Sequence, residues 1–215
     1  MVSVVIPVYG APEILPELVE RLSTYVPLPH EIILVDDACP QNSWKTIEAL
    51  SQKNNNIVGV KHSQNQGQHH AIWTGLNLAK GTKIVITDCD LQDNPADIPK
   101  LLEHAQFHQA VIAVRTSRKD PFFKKLFSYW FWKILSWSTG LSFHPLAGNF
   151  GVYDKQLVKQ ICQKSWKFYF FPAMVRTCAC DIVYIPVNHQ QRHSGKSSYK
   201  WKKLFRLGWN VLRFY

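Results

Sequence analysis

Residues 3–115 alternate short apolar runs with stretches of helical periodicity, and this alternation is the strongest constraint on what the chain can become. SVVIPVY (3–9), EIILVDD (31–37), NIVGVKH (56–62), KIVITDCD (83–90) and QAVIAVR (109–115) read as strands. Between them, 12–25, 42–53, 69–80 and 95–106 carry apolar residues at helical spacing. Asn42 or Ser43 is expected to open the second helix and Gly81 to close the third. Regular strand–helix alternation predicts an α/β fold, a mostly parallel Rossmann-like sheet with helices on both faces. Ligands of such sheets bind at the carboxyl ends of the strands. Tyr9, Asp36, Asp37, Asp88, Asp90 and Arg115 all fall there, on four different strands.

The second half has a different character. In 122–137, Phe123, Leu126, Phe127, Trp130, Phe131 and Ile134 form one helical stripe, with Lys124, Lys125 and Lys133 opposite. Residues 199–215 are again aromatic and basic at helical spacing, a C-terminal amphipathic helix. Charge divides the same way. Residues 1–110 hold 7 Lys and Arg against 12 Asp and Glu, and residues 111–215 hold 18 against 3. The basic half is expected to face phosphate or a lipid surface. Nucleic acid is a poorer match, because the aromatics lie on helical stripes rather than on a strand face. There is no internal repeat or linker, so the expected organisation is one domain over 1–198, with halves 1–115 and 116–198, followed by 199–215.

No run of about 18 apolar residues encodes a membrane-spanning helix, and MVSVVIPVYG reads as a first strand, not a signal peptide. The five cysteines form no CxxC pair, which suits a reducing compartment. Cys178 and Cys180 are expected on opposite faces of a strand.

DCDLQD (88–93) concentrates carboxylates in an otherwise basic chain. Paired strand-end aspartates suit Mg²⁺ or Mn²⁺, which also engage a diphosphate. Asp93 reads better as a cap of the next helix. Asp36 and Asp37 are placed to accept hydrogen bonds from a ribose or base. A phospho-acceptor domain is discounted, since the third strand ends on Lys61, His62 and Ser63. NQGQ (65–68) reads as an ordinary left-handed turn, and His69 and His70 as helix-face residues. RHSGKSSY (192–199) combines basic, hydroxyl and glycine residues in a way that suits phosphate.

The ordered set VVIPVY, VDD, NQG, DCDLQD, Arg115 and RHSGKSSY resembles family 2 glycosyltransferases of the GT-A fold, most of all the polyprenyl-phosphate, dolichol-phosphate mannose synthase-like branch. The resemblance implies that Pro7, Tyr9, Asp36 and Asp37 line the nucleotide, with Cys89 and Gln92 beside it. Asp88 and Asp90 would hold the metal and diphosphate. Arg115, Arg192, Lys196 and Ser197 would contact donor or acceptor phosphates, with Asp90, Arg115 and Arg192 the catalytic set. Three departures stand out. Gly10 and Ala11 replace the family's usual Asn and Glu, Ser198 replaces a Lys, and Asn149 and Gly151 stand where Asp and Arg are usual.

The expected activity is metal-dependent, inverting transfer of a sugar from a nucleoside-diphosphate sugar to a polyprenyl phosphate, on a protein peripheral to the cytoplasmic face of a membrane. Two rivals are transfer to a sugar hydroxyl in cell-surface glycan assembly, and a non-catalytic nucleotide-sugar-binding or membrane-docking protein.

Overall fold

A computed structural model describes residues 1–10, 12–115, 133, 136–137, 140–141, 143–187, 210 and 213–214. Apart from 133, 136–137, 210 and 213–214, the segments 122–137 and 199–215 expected to be helices lie outside the described residues, as do the side chains of Arg115, Asp120, Arg192, Lys196 and Ser197.

The strands are β1 (Val2–Val8), β2 (His30–Asp36), β3 (Ile57–Lys61), β4 (Lys83–Ile86), β5 (Ala110–Arg115), β6 (Ala147–Asp154) and β7 (Ile182–Val187). They form one sheet in the order β3-β2-β1-β4-β6-β5-β7. β1 pairs in parallel with β2 and β4, β2 with β3, and β5 with β7, while β6 runs antiparallel to both neighbours. The sheet is thus mostly parallel, as the alternation requires.

Among the described residues six helices cover it: α1 (Leu15–Tyr25), α2 (Ser43–Lys53), α3 (Gln68–Leu78), α4 (Ile98–His104), α5 (Lys155–Gln163) and α6 (Phe171–Cys178). The period-2 alternation of the strands feeds two cores. Val4, Ile6, Ile32 and Leu34 pack with Leu18 and Leu22 of α1, Ile47 of α2 and Leu101 of α4. Val5, Ile33, Val35 and Ile86 pack with Ile72 and Leu76 of α3, Leu157 and Ile161 of α5, and Met174 of α6. Both faces of β1 and β2 are buried throughout, which is why those strands read as unbroken apolar runs.

Several local expectations are corrected. β4 ends at Ile86, so the aspartates follow the strand in a turn. α3 ends at Leu78, and Gly81 is a packing glycine: a Cβ there would stand 2.6 Å from the Ser3 backbone nitrogen. Its N–H donates to Ser3 Oγ at 2.7 Å, within a buried network that also joins Ser3 to Glu31. Asn42 takes a left-handed conformation at the head of α2 and makes no side-chain cap bond there. Asn94, not Asp93, caps the helical turn Pro95–Asp97 by accepting the Ala96 N–H at 3.2 Å. Cys178 ends α6 and Cys180 follows in the connection, so neither lies on a strand. All five cysteines are free thiols.

Candidate active site

The sheet opens between β1 and β4. Their pairing ends at Val5 and Ile86, whereas β1 stays paired with β2 as far as Val8 and Asp36. Thr87 N–H still reaches the Val5 carbonyl at 3.3 Å. The next β1 residue facing that side is Pro7, which has no N–H to leave unsatisfied. A proline in a central strand is therefore tolerated where the strands part. Strand order reverses at this same place, and that is the ligand crevice of an open α/β sheet.

Tyr9 follows β1, Asp36 and Asp37 close β2, and Asp88 and Asp90 follow β4, all at this end of the sheet. Tyr9, just beyond β1, is 50% exposed, so its ring is available for stacking. Gly10 follows with φ +96° and donates its N–H to Cys39 Sγ at 3.0 Å. On the other flank the Cys89 thiol is pushed up to about 12, chiefly by burial, with the Tyr9 backbone hydrogen-bonded to it.

Asp36 and Asp37 diverge. Asp36 lines an open cleft of about 510 Å³ with Cys39, Asn42, Trp44, Lys61 and His62. Burial raises its pKa, opposed by the Cys39 N–H and Lys61. Asp37 faces the turn before α3. Its Oδ1 accepts Gln66 N–H at 2.8 Å and His62 Nδ1 at 2.9 Å, and its Oδ2 accepts Gly67 N–H at 2.8 Å. Gly67 has φ +93° and ψ 155°, a conformation open essentially only to glycine, rather than the expected left-handed turn. The N–H groups of this turn are directed at Asp37 rather than at a bound phosphate.

The DCDLQD turn is tied to itself and to α3. Asp90 Oδ1 accepts Gln92 N–H at 3.2 Å, and Asp93 Oδ2 accepts Asp88 N–H at 3.3 Å. Gln68, the first residue of α3, donates from Nε2 to Asp88 Oδ1 at 2.7 Å. Leu91 takes φ +57° with its side chain fully buried, which turns the chain back between Asp90 and Gln92. The donor set fits a hard divalent cation: carboxylates on closely spaced residues, held by hydrogen bonds, with no thiolate. Among the described residues no three His, Cys, Asp or Glu side chains are grouped to hold a metal by themselves. Two carboxylates completed by substrate phosphates is the usual arrangement for Mg²⁺.

In the second half, the described carboxylates are already engaged. Asp154 caps α5, accepting Gln156 N–H at 2.7 Å, and pairs with Lys83 at 3.2 Å. Asp181 meets His108 Nδ1 at 2.9 Å. His144 Nδ1 accepts the Leu146 N–H at 3.2 Å, so its neutral ring carries the proton on Nε2. Burial and then Arg176 lower its pKa. Arg115 ends β5 opposite Val187. Gln68, Lys61 and Trp44 are the site residues that sequence reasoning missed. Nothing in their local pattern marks them, since each is brought in by the packing of α2, β3 and α3. A smaller cleft of about 290 Å³, lined by Tyr25, Pro27, Pro99 and Glu103 among others, sits on α1 and α4 away from these groups.

A doubly covered parallel sheet, split at its switch point with paired carboxylates beside the split, places the molecule in the GT-A class. Known proteins agree. Residues 3–168 match the model of glycosyl transferase family 2, and the chain belongs to that family. The undecaprenyl-phosphate 4-deoxy-4-formamido-L-arabinose transferases of Pectobacterium carotovorum subsp. carotovorum (strain PC1) and Proteus mirabilis (strain HI4320) are 36% and 33% identical to it, over 98% of this chain. The chain spans 66% of the length of each. Glucosyl-3-phosphoglycerate synthase from Mycobacterium tuberculosis, solved with Mn²⁺, UDP and phosphoglyceric acid, superposes with a TM-score of 0.71 at 14% identity, covering 99% of this chain and 76% of that one. A mannosyltransferase from Pyrobaculum calidifontis, solved with GDP-Man and Mn²⁺, superposes with a TM-score of 0.66 at 16% identity, covering 98% and 62%.

Proposed function

We propose that this chain transfers a sugar, with inversion, from a nucleoside-diphosphate sugar to the phosphate of a polyprenyl lipid at the cytosolic surface of a membrane. The names of the relatives support the acceptor class, and the ligands of the structural neighbours support the donor class and the cation. No helix among the described residues is long and apolar enough to cross a membrane; the basic aromatic segments 122–137 and 199–215 would contact the membrane surface.

The observation that carries this reading is the state of the candidate bases. A sugar hydroxyl needs a positioned base. Of the second half's three carboxylates, Asp154 and Asp181 are occupied elsewhere and Asp120, the remaining candidate base, lies outside the described residues, while His144 offers no free lone pair in its neutral form. A lipid phosphate is already an oxyanion. Its oxygen attacks C1 of the sugar, the bond from C1 to the donor diphosphate breaks, and the electron pair leaves with the nucleoside diphosphate. No proton has to move.

Within this reading Tyr9 stacks on the base, and Asp36 accepts from the ribose or base. Asp88 and Asp90 would hold Mg²⁺ or Mn²⁺, which when bound neutralises charge on the diphosphate leaving group. Arg115, Arg192, Lys196 and Ser197 dock the phosphates.

The test offers polyprenyl phosphate and the uncharged polyprenol with Mn²⁺ and a panel of donors. Transfer to the phosphate alone is expected, retained in Asp120→Asn and mostly lost in Arg192→Ala. Comparable transfer to the alcohol, or loss of transfer to the phosphate in Asp120→Asn, overturns the reading in favour of a base-catalysed hydroxyl acceptor. Nucleotide binding without any transfer or donor hydrolysis would identify a binding protein.

A further inference from the structure

We propose that Gln68 is a positioning residue for Asp88, and that Asp37 and His62 set Gln68 in place. The inference rests on Asp88 and Asp90 being the cation-holding pair.

The chain of contacts is continuous. His62, at the end of β3, is buried between two elements: Nδ1 meets Asp37 Oδ1 at 2.9 Å and Nε2 meets Thr74 Oγ1 of α3 at 3.0 Å. A carboxylate only accepts, so Nδ1 carries the proton, and Nε2 of the neutral ring accepts from the Thr74 hydroxyl. The ring is satisfied on both sides and fixes Asp37 relative to α3. Asp37 in turn receives the backbone N–H groups of Gln66 and Gly67, while Asn65 Nδ2 donates to the Asp37 carbonyl at 3.2 Å. Every residue from 65 to 67 is therefore bonded to Asp37. The next residue is Gln68, whose amide donates to Asp88 Oδ1 at 2.7 Å.

This arrangement has a consequence for a cation. Gln68 occupies one lone-pair direction of Asp88 Oδ1 and restrains the rotation of the carboxylate. Partners that orient a ligating group typically change metal affinity by about 10–100-fold when removed. The bland alternative is that Gln68 merely helps to seat the first turn of α3. That role would appear as lost stability without metal, and it would be indifferent to Mn²⁺.

The experiment measures Mn²⁺ binding by the EPR signal of the free ion, with and without UDP, alongside melting of the metal-free protein. The variants are Gln68→Met, which keeps length and removes the donor, His62→Ala, and His62→Gln, which restores a donor toward Asp37. Gln68→Met is expected to weaken Mn²⁺ binding about tenfold with its metal-free melting temperature unchanged. His62→Ala should weaken it less, and His62→Gln should recover most of the difference. The Asp37→Asn, Gln68→Met pair should lose no more than its worse member, because both act along one path. Wild-type Mn²⁺ affinity in Gln68→Met overturns the proposal alone. So does a metal-free melting loss in that variant with unchanged Mn²⁺ affinity. Should the wild-type protein bind no Mn²⁺ with or without UDP, the assignment of Asp88 and Asp90 falls, and this proposal falls with it.

Discussion

Leu91 keeps a φ of +57° while its side chain is fully buried. A left-handed residue other than Gly or Asn costs about 1–2 kcal/mol, so the DCDLQD turn stores strain that the surrounding core holds in place. The turn presents Asp88 and Asp90 at the mouth of the sheet. In Asp90→Asn the shape is kept and the ligand charge is lost. Transfer should fall to background, and the Mn²⁺-dependent rise in melting temperature with nucleotide should vanish; Mn²⁺-dependent turnover in that variant would dismiss the site. A second residue-level effect belongs to His69. Burial lowers its pKa to about 4, its Nδ1 is sealed from solvent with no hydrogen-bond partner among the described residues, and its ring meets Phe170 edge-on at 5.0 Å. The unfolded chain takes up this proton near the ordinary value of about 6.5, so below that pH it binds more protons than the folded one. Stability should therefore decline as pH falls from about 6.5 towards 4. His69→Phe should flatten that slope in urea unfolding at pH 7 and pH 5, and an unchanged slope would rule His69 out as its source.

At the scale of elements, β6 and α5 matter most. β6 enters between β4 and β5 antiparallel to both, and its end passes directly into α5. Asp154 sits at that junction, as its position in the sequence suggests, and its carboxylate caps the helix. Asp154→Ala should cost about 1 kcal/mol, and Asp154→Asn clearly less, because the amide oxygen still caps. The half-exposed pair with Lys83 adds little. Transfer activity should survive both changes. A large loss of turnover in folded Asp154→Asn would make Asp154 a catalytic base and remove the main support for a phosphate acceptor.

Across the whole molecule the charge asymmetry remains to be tested. The acidic half carries the turn proposed to hold a cation, and the 18 Lys and Arg of residues 111–215 suit an anionic surface. Each basic residue near such a surface contributes about 1 kcal/mol. Sedimentation with phosphatidylglycerol vesicles should therefore exceed that with phosphatidylcholine vesicles and fall as salt rises. Equal, salt-insensitive partitioning would remove the electrostatic part of membrane attachment.

The sequence by itself determined the five strands and four helices of the first half to within a few residues, and the end of the sheet where the candidate site residues gather, because side-chain period and apolar runs are local properties. Ile32, Ile33, Leu34 and Val35 form a doubly buried strand, and Asp88 and Asp90 follow the carboxyl end of β4, on the far side of β1. Tertiary structure decided what each polar group there is bound to. Asp36 and Asp37 are adjacent in sequence, yet one lines the cleft and the other holds a turn 28 to 30 residues away. Asp93 and Asn94 are likewise adjacent, yet Asn94 caps the helical turn and Asp93 closes the aspartate turn. Gln68 reaches Asp88 across 20 residues. A carboxylate accepts whichever donor the packed chain delivers within about 3 Å, and that delivery depends on strand order and on the insertion of β6, neither of which has a local signature.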